Sequence, residues 1–321
     1  LKNSYFIFFL TIKMFNEHSN SFTISNSPQL NKTDNNENKD ILKDSSDKAS
    51  YYFIDDKRNE LLHPQFIRTN THIEYSKDFP KEDLRKDLSL YYNNIIGKDQ
   101  IERKYKKYNV DIEWLTISHT NVDINDIYTT CRIQLTAKAN LNAKYSVFIP
   151  KELRKTDSSI EIFANSKATF TNCVFQNSTR AALIVRDYST AIFDHCIFED
   201  NSISCFLMNS SYAKFINCKF KNDKAISIYA VKESRCEIIN CEFLDLKGKA
   251  IFAKDISEIH INNSCFKNCN KGAVTIEKQS KLLINTATIE NSENTALRAV
   301  NNSEIRANNV SIYQTNGNAI N

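Results

Sequence analysis

The chain has no large excess of charge of either sign: lysine and arginine number 42 against 38 acidic residues, a net charge of +4 over 321 residues. That balance argues against a dedicated nucleic-acid binder, which carries a basic patch or stripe. A long hydrophobic run is also lacking. The most apolar stretch, Tyr5 to Ile12 in LKNSYFIFFLTIK, is far too short to span a bilayer. No A-x-A-like cleavage site follows it, so the expectation is a fragment or a translated leader ahead of a native start at Met14, with a secretory signal as the alternative. Glycine and proline are scarce, at four each, and asparagine, lysine, serine and isoleucine take up the room, a bias of the kind an AT-rich genome produces.

Disulfide-framework spacing is missing as well. The nine cysteines make an odd total, and eight of them follow residue 172. They read as reduced, buried thiols, and the expected location is cytoplasmic; a working signal peptide would make the protein secreted or surface-bound instead. His63, His72 and His119 lack metal-ligand spacing, so no metal or cofactor is expected.

Residues 1–50 are polar after the apolar run and read as a disordered leader. Residues 51–110 read as a small helical N-terminal element, because KEDLRKDLSLYYNNIIGKDQIERKYKKY spaces its Leu, Tyr and Ile as a helix does. Residues 111–158 alternate and are rich in β-branched side chains, a strand-rich lead-in. From 159 to 321 the sequence repeats.

Cutting before Ala168, Ala191, Ala213, Cys236, Ile259, Leu282 and Ile305 gives steps of 23, 22, 23, 23, 23 and 23 residues. Two residues on stand Phe170, Phe193, Phe215, Ile238, Ile261, Ile284 and Ala307. A polar column follows: Asn172, His195, Asn217, Asn240, Asn263, Thr286, Asn309. Apolar alternation then resumes at Cys173, Cys196, Cys218, Cys241 and at Phe175, Phe198, Phe220, Phe243, Phe266. Period-2 alternation on both sides of an asparagine predicts two short strands joined by a tight bend. A third strand carries Leu183, Cys205, Ile228, Ile251, Val274, Leu297 and Ile320, and a serine column closes each copy: Ser166, Ser189, Ser211, Ser234, Ser257, Ser280, Ser303. Three strands and three bends make one coil of an all-β solenoid. INC-x-F, as in INCKF and INCEF, is then a structural tooth: Asn takes the left-handed bend, Cys and Phe fill the interior, and a line of thiols at strand spacing is no tetrahedral metal site.

This pattern resembles the right-handed parallel β-helix of the pectin-lyase-like superfamily, and within it the right-handed β-helix region repeats. The resemblance spans about residues 159–321, and the stacked Asn at the second bend is its most specific mark. It implies a right-handed parallel β-helix with about 22–23 residues per coil, and it brings polysaccharide lyases and glycoside hydrolases into view.

Those enzymes group aspartates, or calcium-binding carboxylates with an Arg or Lys base, on the outward third-strand face. Here that column reads Glu161, Ile184, Phe206, Tyr229, Phe252, Thr275, Arg298, Asn321. One carboxylate without a partner does not supply paired acid and base. No catalytic residue is assigned. The column does offer an apolar stripe, Ile184, Phe206, Tyr229 and Phe252, with Arg298 beyond it. An exposed stripe of this kind predicts a binding face for a protein or glycan partner, and the segment around Leu88 to Ile96 folding back over it is the competing expectation. The functional expectation is therefore a non-catalytic binding scaffold, with a carbohydrate-active lyase or hydrolase as the alternative. Because the chain stops just past Ile320, in mid-strand, truncation of a longer protein is expected, with head-to-tail association as the runner-up.

Overall fold

The computed structural model describes residues 66–67, 78–110, 114–150 and 158–320. The leader at 1–50 and the first part of the expected helical element lie outside them.

The repeat forms a right-handed parallel β-helix. One ten-stranded sheet stacks the third strands, running from Phe66–Ile67 through Trp114–Ser118, Arg132–Thr136, Ile160–Ile162, Ala181–Arg186, Ile203–Met208, Ile226–Ala230, Lys249–Ala253 and Val274–Glu277 to Leu297–Val300. A fifteen-stranded sheet carries the other two strands of each coil, for example Thr190–Asp194 and Ile197–Glu199. In the last coils these merge into single strands such as Glu258–Lys267 and Lys281–Glu290.

All the pairing is parallel, with like stacked on like. Phe193 pairs with Phe215, and Phe198 with Phe220. Inside the coils the rings lie flat on one another: Phe198, Phe220, Phe243 and Phe266 stack at centroid distances of 4.7, 4.6 and 4.6 Å. These stacks and the aliphatic columns form one continuous core along the axis.

The stretch read as a strand-rich lead-in is itself two coils. Asn121–Asn125 pairs with Asn140–Lys144, which pairs with Lys167–Thr171. The first step is 19 residues, as in the Asn140 to Asn121 hydrogen bond, and the next is 27, as between Gln134 and Glu161, so neither matches the 23-residue frame.

The bends explain how so few glycines suffice. Asn172, His195, Asn217, Asn240, Asn263, Thr286 and Asn309 all have φ between 47° and 62°. Asn and Asp tolerate this left-handed region better than other side chains. Where three asparagines adjoin, their amides also bond along the stack, Asn263 Nδ2 donating to Asn240 Oδ1 at 2.9 Å and Asn240 Nδ2 to Asn217 Oδ1 at 3.3 Å. A second such column, Asn177, Asp200, Asn222, Asp245, Asn268 and Asn291, has the same conformation at the next bend. The serine column bonds backbone as expected: Ser280 Oγ donates to Glu277 O at 2.8 Å and accepts from Ser257 N at 3.2 Å. Glycine is needed where coils crowd, since a Cβ on Gly248 would lie 1.8 Å from Ala225 O.

Ile256 departs from this chemistry. It is a β-branched residue at φ 65°, 56% exposed, in a column that holds Asn165 and Asn302 elsewhere. Ile256→Asn is expected to raise stability by about 1 kcal/mol, by removing left-handed strain without disturbing the core. Urea unfolding followed by circular dichroism checks it; an unchanged midpoint counts against strain at this bend.

Helix α1 (Lys81–Tyr92) and helix α2 (Lys98–Tyr105) turn Leu84, Leu88, Tyr91, Ile101 and Tyr105 onto the outer side of the second strands, against Tyr128, Val147, Val174 and Ile197. Arg85 grips Asp126 with two bonds of 2.6 Å, Tyr92 Oη donates to Asn217 O at 2.6 Å, and Lys98 pairs with Asp200. The expectation that Leu88 to Ile96 covers the Phe206 stripe is therefore corrected. The helices chose the Val174/Ile197 column, and that column turns polar at Lys219 and Glu242 in the coils beyond. No helix among the described residues is long and apolar enough to cross a membrane.

Candidate functional site

The third-strand column has the register read from the sequence. Glu161 pairs with Ile184, Ile184 with Phe206, Phe206 with Tyr229, Tyr229 with Phe252, Phe252 with Thr275 and Thr275 with Arg298. The three rings stack face to face, with centroids 4.9 and 5.3 Å apart. They point away from the main core and form a separate cluster.

Two features differ from expectation. First, the stripe is buried: Ile184, Phe206, Tyr229 and Phe252 expose 6%, 3%, 0% and 5% of their surface. The expectation of an exposed stripe is corrected by this burial. Second, the patch is wider than one column. Ile203 and Ile226 flank the rings on one side, Met208 and Val231 on the other.

The side column was hidden by a local irregularity: Ser204 and Cys205 both face inward, so Ile203 and Phe206 face outward three residues apart. Strict alternation counted back from Phe206 lands on Ser204 and misses Ile203. The signal was the repeat itself, since Ala181, Ile203 and Ile226 pair in register.

Charge frames the patch. Lys249 Nζ sits 4.7 Å from the Phe252 ring and Lys254 Nζ 5.7 Å from that of Tyr229. Ammonium groups so placed are drawn to the ring faces. At the first end, Glu161 accepts from Arg186 Nε at 2.8 Å and from Gln134 Nε2 at 2.9 Å, and Arg186 also pairs with Asp187. Glu161 is thus held in a charge-balanced network. Arg298 stands at the opposite end, exposed and separated from Phe252 by Thr275, so the structure does not bring it to the stripe.

Behind this sheet, where the bend enters it, lies a buried polar knot. Asp223 accepts from Ser204 Oγ at 2.6 Å and from Asn201 N at 3.1 Å, and Asn201 Nδ2 donates to Ser204 Oγ at 3.1 Å. Burial pushes the Asp223 carboxyl up to about 7, against the hydroxyl and amide bonds that favour its charged form. It lies inside the coil, away from any substrate-sized approach, and acts as a structural tie.

The cysteine row Cys173, Cys196, Cys218 and Cys241 is buried and lines one bend, each thiol donating to nearby carbonyls. Burial pushes the Cys196 and Cys241 thiols up, which keeps them protonated and unreactive. Cys265 alone among the nine is partly exposed, and its thiol is also raised by burial. Iodoacetamide on the native protein is therefore expected to label Cys265 first and slowly, with the remaining thiols reacting only on unfolding. Early labelling of the row, read by peptide mass mapping, would contradict its packing role. Among the described residues no three His, Cys, Asp or Glu side chains gather to hold a metal ion.

No curated protein matches the chain. A crystal structure of tailspike protein 3 from bacteriophage CBA120 aligns at 8% identity and a TM-score of 0.23, over 65% of this chain and 55% of that one. This chain thus corresponds to about half the length of the tailspike chain. Residues 156–320 match the family described as right handed beta helix region. The match runs over half of the sequence and through the coils whose bends and stacks have just been described, and the chain belongs to that family.

Proposed function

We propose that the chain is a non-catalytic binding scaffold whose third-strand sheet seats a segment of a protein partner. One observation carries this reading: Ile203, Phe206, Met208, Ile226, Tyr229, Val231 and Phe252 make a continuous apolar surface outside the solenoid core, rimmed by Lys249 and Lys254. An apolar surface with aromatic centre and cationic rim fits an apolar peptide bearing carboxylates. Its strand spacing suits an extended segment lying across the sheet. The reduced thiols go with a cytoplasmic location in the same reading.

The rim can be changed without cutting into the core. Lys249→Glu/Lys254→Glu is expected to keep the circular dichroism spectrum and to lose at least tenfold in affinity for a purified protein retained by the wild type from its own lysate. Equal affinity, or retention of polysaccharide in place of protein, counts against the reading. Release of reducing or unsaturated sugar ends from that polysaccharide would replace it with a lyase or hydrolase.

A further inference from the structure

We propose that the row Cys173, Cys196, Cys218 and Cys241 is a binding site for soft monovalent cations of the copper(I) type, with one two-coordinate ion in each gap between successive sulfurs. The site is independent of the third-strand face.

Position gives the first argument. The row is in register: the N–H groups of Ile197, Lys219 and Glu242 donate to the carbonyls of Cys173, Cys196 and Cys218, each at 2.9 Å. The sulfurs repeat as faithfully as the backbone. Each thiol donates to the carbonyl two residues before it, on Thr171, Asp194, Ile216 and Ile239, at 3.3–3.5 Å. Each also reaches the preceding coil, at the carbonyls of Ala143, Phe170, Phe193 and Phe215, over 3.4–3.6 Å. The same contacts in four coils set the sulfurs in a line at the coil spacing of about 4.8 Å. Such a line excludes a tetrahedral ion, since no three ligands among the described residues gather at one point. It suits an ion with two opposed ligands: two metal–sulfur bonds of about 2.3 Å each nearly fill the gap. Thiolates, being soft, select copper(I).

Charge is the second argument. The row belongs to the apolar core of the coils, where a net charge is costly. A monovalent ion in each gap adds none. Each entering ion sends one thiol proton to solvent: three S–H bonds break, six metal–sulfur bonds form, Cys196 and Cys218 bridge two ions each, and the fourth proton stays on the row. Divalent ions in the same gaps would leave charge behind.

The third argument is what stands at the two ends. Ser146 and Ser264 take the same bend position and bond as the thiols do, Ser146 Oγ donating to Lys144 O at 2.9 Å and Ser264 Oγ to Asn262 O at 3.0 Å. Ala287 pairs next to Ser264 with no such group. The bend thus accepts serine or alanine, and four consecutive sulfurs exceed what its packing requires. Because the row is buried, ions enter as the coils form, which couples binding to folding.

Silver(I) is the probe, since it shares the charge and the preference for two opposed ligands and resists oxidation. The full chain is unfolded in urea with its thiols reduced, refolded with silver(I), washed with a competing small thiol and weighed by native mass spectrometry. Three retained ions per chain are expected, each gained against one lost proton. Cys196→Ser/Cys218→Ser leaves two sulfurs without a neighbour; it is expected to keep the circular dichroism spectrum and to retain no silver. Cys205→Ala/Cys236→Ala, which removes two buried thiols outside the row, is expected to retain three ions. X-ray absorption on the loaded wild type is expected to show two sulfurs around each silver, a readout that needs no variant. No silver in the wild type, equal retention by the row variant, loss from the Cys205/Cys236 variant, or three or four sulfurs per ion overturns the proposal.

Discussion

Phe243→Ala is expected to lower the unfolding free energy by about 3–5 kcal/mol, near the upper end for a buried aromatic. The ring is fully buried and lies between Phe220 and Phe266, 4.6 Å from each and within 2° and 6° of parallel. Truncation removes the transfer energy of the ring, opens a cavity, and severs two stacking contacts together. Position in the stack matters as much as size, because in a solenoid each coil is stabilised only by its neighbours. An interior gap divides the ladder, and unfolding followed by circular dichroism is expected to lose its single transition. Ile289→Ala, near the last described coil, serves as the comparison and should cost less and leave the transition single. A loss below about 1 kcal/mol for Phe243→Ala would show that the aromatic stack is not what couples the coils.

Asp223 makes stability depend on pH between the acid range and neutrality. Its folded pKa, near 7, is above the ordinary value of 3.8, so folding favours the protonated acid. The stabilisation is complete below the unfolded pKa and is lost as pH rises through the folded one. Over roughly three pH units the loss is on the order of 4 kcal/mol at about 1.4 kcal/mol per unit. Other carboxylates pull the opposite way; Glu237, held low by a hydrogen bond from Lys214, favours the fold above the acid range.

The effect of Asp223 must therefore be read as a difference. The stability of Asp223→Asn minus that of wild type is expected to grow from pH 4 to about 7 and then level off, because asparagine can keep the bond from Asn201 N without the burial of a charge. A flat difference across that range would mean that Asp223 is ionised and solvated in the fold.

What could be read from the sequence followed the 23-residue period. Stacking turns a column in the alignment into a column in space, so the Phe core, the Asn bend, the serine ladder and the Ile184 to Arg298 register were all legible. The ion pair between Lys214 and Glu237, 3.1 Å, likewise joins equivalent positions of neighbouring copies. Departures from the period were not. The coils before residue 150 step by 19 and 27, and a frame of 23 cannot find them. The inward pair Ser204 and Cys205 hid Ile203 and Ile226 for the same reason. The docking place of the helices was illegible for a different one: which of two apolar columns a helix covers depends on contacts between distant segments, which leave no periodic trace. The Val174/Ile197 column won α1 and α2 through Arg85, Tyr92 and Lys98, which reach polar partners across the chain, Lys98 both Asp200 and Asn177.

Those same docking contacts have a consequence for folding. A ladder in which phenylalanine stacks on phenylalanine and asparagine on asparagine is nearly as content when shifted by one whole coil, so the repeat alone leaves its own alignment ambiguous. The helices break the tie. Lys98 meets an aspartate at position 200, Arg85 one at 126, and Tyr92 the carbonyl of 217, each on a different coil. A chain slipped by one turn would meet Asn222 or Asn177 where Lys98 needs Asp200, and lose the charge that holds it. The short helical pair thus serves as an index mark that tells otherwise interchangeable turns which one they are.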